Sequence, residues 1–158
     1  MTGADRTALV VGIGNPDRGD DGVGAAVATA VAAHRLAGVS VKHLREPVAL
    51  LDEEPDYDLV IVVDAVLSRA EPGSVSVREV DEHPLPDWAG TGGTHTVGLA
   101  AVVELARALD RLPRTLLVVG VEAESFGTGD PLSPAVLAGV QRAADVVVRL
   151  VTGRVLDR

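Results

Sequence analysis

A chain of 158 residues, 47% of them apolar, has the length of one domain, 1–158, and can bury roughly 70% of its unfolded surface. Its formal charge of −9, from 14 basic and 23 acidic residues, repels phosphate backbones and argues against nucleic acid as a partner. The lack of cysteine excludes disulfides, thiolate ligands and cysteine nucleophiles, and no apolar run approaches the ~20 residues that span a bilayer.

Ala8 to Ile13 (ALVVGI) reads as a buried strand running into a glycine-rich turn. Val23 to Leu36 is rich in Ala and Val and is expected to be helical, stopping before Gly38. Val39 to Leu44 is a second short strand, and Pro47 to Glu53 is expected to form one or two helical turns. Leu59 to Val63 (LVIVV) is the clearest central strand, with Asp64 at its end. Ser74 to Val80 alternates and reads as a less buried strand.

Asp81 to Thr94 holds Pro84, Pro86, Gly90, Gly92 and Gly93 and cannot be a regular element. Thr96 to Asp110 is helical by pattern, with Leu99, Val102, Val103, Ala106 and Leu109 on one stripe. Leu116 to Val121 is another buried strand. Ser133-Pro134 is a hydroxyl cap followed by proline at the first helical position. Val136, Val140, Ala143, Val147 and Leu150 then form an apolar face, and Gly153 is expected to end that helix. Strands and helices alternate without repeat or linker. That order implies an α/β fold, a three-layer α/β/α sandwich around a mostly parallel twisted sheet. Ligands in such sheets bind beyond the carboxyl ends of the strands.

The first strand leads into Gly12-Ile13-Gly14-Asn15-Pro16-Asp17-Arg18-Gly19-Asp20-Asp21-Gly22-Val23-Gly24. A dinucleotide fingerprint needs glycine where Asp17 stands. Gly14 and Gly19 have P-loop spacing, but Asp20 and Asp21 replace the lysine and hydroxyl residue. The two carboxylates reverse the electrostatics, repelling phosphate and attracting a cation. Each candidate has an ordinary reading by itself. Asp20-Asp21 suits a turn and helix cap, Asp64 a polar strand end, and His95 a cap or loop residue. Their joint placement at three strand-to-helix junctions, on one edge of one sheet, points to a shared site. An acid directly after five buried aliphatics is costly to bury without a partner.

These residues resemble the hydrogenase maturation proteases, which trim the large subunit of nickel–iron hydrogenases. The resemblance rests on GIGNPDRGDDGVG at 12–24, VVDA at 62–65 and GTHTVGL at 93–99. Pro72-Gly73 and the Leu-Val-Val-Gly-Val-Glu stretch at 117–122 also fit. It implies a phosphorylase/hydrolase-like sandwich and a cytoplasmic endopeptidase, with Asp21, Asp64 and His95 as both metal ligands and catalytic site. The metal implied is a divalent ion, nickel, supplied by the substrate. The partner implied is the nickel-loaded large-subunit precursor, which loses its C-terminal extension. A monomer without membrane contact is expected. Two carboxylates and an imidazole supply three of the positions a nickel ion uses and leave others for the substrate.

One departure bears on substrate choice. Where many relatives carry an Asp-Gly-Gly-Thr-like stretch, this chain has Leu44-Arg45-Glu46-Pro47. The rivals are a non-catalytic nickel-sensing or nickel-escorting accessory protein and a nucleotide-binding module, which Asp20-Asp21 disfavours. There is no His-Glu-x-x-His or Gly-x-Ser-x-Gly motif. Ser68 reads as an ordinary turn residue, and His34, His43 and His83 are assigned no chemistry. Trp88 reads equally as a loop pin or a substrate contact.

Overall fold

The computed structural model describes residues 7–53, 56–86 and 98–156. Five strands, β1 (Ala8–Ile13), β2 (Val39–Leu44), β3 (Leu59–Val66), β4 (Val75–Glu79) and β5 (Thr115–Glu122), form one sheet in the order β2-β1-β3-β5-β4. All neighbouring pairs are parallel except β4 with β5. Among the described residues the α-helices are α1 (Val23–Ala32), α2 (Leu99–Ala108) and α3 (Pro134–Leu156). Gly19–Gly22 and Pro47–Asp52 are short 3-10 helices.

β1, β3 and β5 lie between other strands and are buried on both faces, which is why their sequences are almost unbroken aliphatic runs. Side chains alternate between two cores. Val10, Ile61, Val63, Val119 and Val121 pack with Val23, Val27, Val136 and Val147 from α1 and α3. Leu9, Val11, Val60, Val62 and Val118 pack with Leu99 and Val103 of α2 on the opposite face. The sheet therefore has helices on both sides, as expected. Among the described residues no helix is long and apolar enough to cross a membrane.

Several element ends differ from the sequence reading. β3 does not stop at Val63 but runs on through Asp64 to Val66, because β5 continues beside it as far as Glu122. α1 ends at Ala32 rather than Leu36, and His34 lies in the turn beyond it. There Arg35 adopts φ 49, a left-handed turn-off that lets Leu36 pack against the core. α2 ends at Ala108, and Leu109 is exposed rather than part of the apolar stripe. Asp110 is left-handed there, so the chain has already left the helix. Gly153 does not end α3, which continues to Leu156; nothing lies within 4 Å of where its side chain would begin.

Candidate metal-recognition site

The glycine-rich turn brings Asp21 to the carboxyl edge of the sheet. Gly24, at the start of α1, packs so closely that a Cβ there would lie 2.4 Å from the Ile13 carbonyl oxygen and 2.7 Å from that of Val63. Only glycine lets the helix enter between the ends of β1 and β3. Gly14 has φ +130, and a Cβ there would sit 2.0 Å from the Asp21 carbonyl oxygen. The Asn15 N–H donates to Asp21 Oδ2 at 2.8 Å. His43, at the end of β2, places Nε2 2.8 Å from the Gly14 carbonyl oxygen and braces the same turn from outside.

Asp64 belongs to β3 and is 3% exposed. Val60 and Val62 face α2, so strand alternation aims Asp64 and Val66 at that face as well. Burial pushes the Asp64 carboxyl well above the ordinary carboxylate range, and the nearby Asp21 carboxylate pushes it further. The Ala65 N–H offsets part of that rise. Two acids thus share a buried place in which charging both is costly. A divalent cation would remove that cost, and hard oxygen donors without thiolates suit a borderline or hard ion.

His95, the third expected member, lies outside the described residues, as does Trp88. Gly98, three positions after His95, is the N-terminal flank of α2. Among the described residues no three His, Cys, Asp or Glu side chains gather into a metal-binding group.

Asp20 has a different role from its neighbour. It is fully buried, yet Oδ2 accepts from the Glu124 and Ser125 N–H groups at 2.8 and 3.0 Å and from the Ser133 hydroxyl at 2.9 Å. Its Oδ1 accepts from the Ser133 N–H at 2.7 Å. The cap expected of Asp20-Asp21 is therefore corrected, whereas α3 does start at Pro134 after Ser133 as expected. Neither aspartate caps a helix with its side chain, and the Ser133 hydroxyl is donated to Asp20. Backbone bonds from Gly19 to Asp130, Asp20 to Ser125 and Gly129 to Asp17 stitch the same two segments together.

Glu122 was not singled out from sequence. It closes β5 at 3% exposure and accepts from the Ser68 N–H at 2.8 Å, the Ser68 hydroxyl at 2.7 Å and the Ala70 N–H at 3.2 Å. Its signal was the one used for Asp64, an acid ending a run of buried aliphatics. Ser68 is the turn residue expected, with its hydroxyl engaged by Glu122.

The family model for hydrogenase maturation proteases matches residues 45–150. The chain belongs to the hydrogenase maturation protease family. Members are peptidases by name, and relatives agree along most of the chain. It is 32% identical over 130 residues to the hydrogenase expression/formation protein HupD of Thiocapsa roseopersicina, a match that covers 78% of this chain and 59% of HupD. This chain thus spans about three fifths of that relative. It is 28% identical over 144 residues to the hydrogenase 2 maturation protease of Escherichia coli, covering 89% of this chain and 87% of that one. The solved structure of the hydrogenase maturating endopeptidase HybD from E. coli superposes with a TM-score of 0.74 at 25% identity. That superposition covers 94% of this chain and 93% of HybD.

Proposed function

We propose that this chain is an endopeptidase that removes the C-terminal extension of a nickel–iron hydrogenase large-subunit precursor after nickel insertion. Asp21, Asp64 and His95 recognise the bound nickel in this reading. The observation that carries it is the buried pairing of Asp21 with Asp64 at the sheet's carboxyl edge, where the Asp21 carboxylate adds to burial in opposing the charge of Asp64. Such a pair is poised for a cation that arrives with the substrate.

Family membership supplies the peptidase chemistry, and the acid pair supplies a place for the metal. Nickel enters as part of the substrate. Asp21 and Asp64 offer oxygen ligands from the first loop and β3 respectively, and His95 offers nitrogen from the segment before α2. Docking fixes the scissile peptide against the same edge, which converts an encounter into a positioned reaction. Water then adds to the scissile carbonyl and the C–N bond breaks. The mature subunit keeps the new carboxylate, and the released extension takes a proton at its amine.

The test is incubation with nickel-loaded and nickel-free precursor, followed by mass spectrometry of the large subunit. Loss of the extension from the loaded form alone supports the proposal. A stable complex with verified nickel and no cleavage identifies an escort protein instead.

A further inference from the structure

Three described non-glycine residues have a left-handed backbone: Arg35, Arg69 and Asp110. Arg35 and Asp110 lie just beyond the ends of α1 and α2, where that conformation ordinarily terminates a helix. Arg69, with φ 67, has no helix to end. It sits in the turn directly after β3, and a residue with a Cβ adopts this conformation only where its surroundings enforce it.

Glu122 supplies the enforcement. Its buried carboxylate accepts the N–H groups on both sides of Arg69, those of Ser68 and Ala70, together with the Ser68 hydroxyl. Backbone amides converging on an anion across a left-handed residue form a nest, here filled by the protein's own carboxylate. Glu122 is itself pinned, because its N–H donates to Ser74 and its carbonyl accepts from Gly73. The turn is thus fixed from below, and Arg69 is held on its exposed crest. Among the described residues its guanidinium enters no ion pair.

The position of the turn decides what it faces. Leu116 and Val118 pack on the α2 side of the sheet, so Glu122 faces that side too, as Asp64 does. The Ser68 turn bends toward Glu122 and hence over the face that carries Asp64. Arg69 follows Asp64 by five residues, so the two lie at most about 17 Å apart along the chain. An extended peptide bound at Asp64 therefore spans the distance to the arginine with no more than about five residues.

We infer that Arg69 is a specificity-determining residue that binds a carboxylate of the precursor's C-terminal extension, with Glu122 as its positioning residue. This rests on the proposed protease reading. A cation at this spot offsets the repulsion that a chain of net charge −9, with two acids at its site, exerts on a peptide carboxylate. Guanidinium binds carboxylate in a fixed fork, so a rigid turn gains more from arginine than a mobile one does.

The discriminating variant is Arg69→Gly, which removes the guanidinium while keeping the left-handed turn at no steric cost. Its melting temperature is expected to hold or rise. KM for nickel-loaded precursor is expected to increase about tenfold at unchanged kcat, with the same loss in precursor binding measured without turnover. Arg69→Lys should recover part of the loss. Glu122→Gln should raise KM in the same direction, in proportion to the Ser68 and Ala70 bonds it fails to keep. Precursors whose extension has its Asp and Glu residues changed to amides, or extra residues appended to its C-terminus, locate the carboxylate. Whichever change removes the difference between wild type and Arg69→Gly identifies the source. KM and binding within twofold of wild type for Arg69→Gly overturn the inference, as does a difference that neither precursor change removes. If wild type binds precursor through Arg69 without cleaving it, the inference stands and the protease reading falls. If wild type neither binds nor cleaves verified nickel-loaded precursor, both fall.

Discussion

Two pairs of buried acids lie at the carboxyl edge of this sheet, and they are built in opposite ways. Asp20 and Glu122 are each surrounded by donors: three from backbone and one hydroxyl for Asp20, two backbone groups and one hydroxyl for Glu122. Asp64 is equally buried but faces Asp21, a second carboxylate, and its proton is held far more tightly than usual. Burial alone therefore does not mark a functional acid; the neighbours do. An acid saturated with N–H groups fixes loops, while one crowded by a like charge is left at a cost that a bound cation would relieve.

The sharpest way to break this contrast is Asp64→Asn. Processing of loaded precursor should fall by more than about 100-fold, the loss expected when an essential ligand is removed. Stability should move the other way. The folded protein holds the Asp64 proton more tightly than the unfolded chain, so the residue is harmless below about pH 4. Its charge then weakens the fold as pH rises through and beyond that range. Metal-free Asp64→Asn should accordingly melt higher than wild type at pH 7, by about 2–4 °C per kcal/mol released. That gain should shrink toward zero near pH 4, as thermal melts across pH will show. A lower melting temperature at pH 7 would mean that Asp64 is stabilised like Asp20.

Asp20→Ala sharpens the comparison from the other side. It leaves three part-buried N–H groups without their acceptor, at about 1 kcal/mol or more each. A loss of at least about 3 kcal/mol should lower the melting temperature by roughly 6–12 °C. Ser68→Ala should cost less, about 0.5–1.5 kcal/mol, because Glu122 keeps its two backbone donors. Gly153→Ala is the control away from both pairs. It lies inside α3 with open space around it, and calorimetry should show a gain of about 0.5–1 kcal/mol with processing unchanged.

Much of this architecture is legible in the sequence because the buried strands leave little ambiguity. ALVVGI, VSVKHL and LVIVV lie within β1, β2 and β3, and all three form strands in the structure. Ends were harder to read. Whether β3 stops before Asp64 depends on how far β5 runs beside it, a pairing between residues more than 50 positions apart. Residue chemistry alone left the division of labour between Asp20 and Asp21 open for the same reason, and only the family resemblance singled out Asp21. It is decided by donors at 124–133, over a hundred residues away, and adjacent aspartates look alike without them. The Arg69 turn was hidden too, since Leu67-Ser68-Arg69-Ala70 carries none of the usual glycine or asparagine signals of a left-handed residue.

The central claim is that the crowded acids, together with His95, take hold of nickel carried by the substrate. Nickel X-ray absorption of the loaded precursor, recorded alone and with this protein bound, tests it most directly. Binding of wild type should add light oxygen and nitrogen neighbours to the nickel, and Asp64→Asn or His95→Ala should each add fewer. An unchanged nickel spectrum in a verified complex would contradict the account.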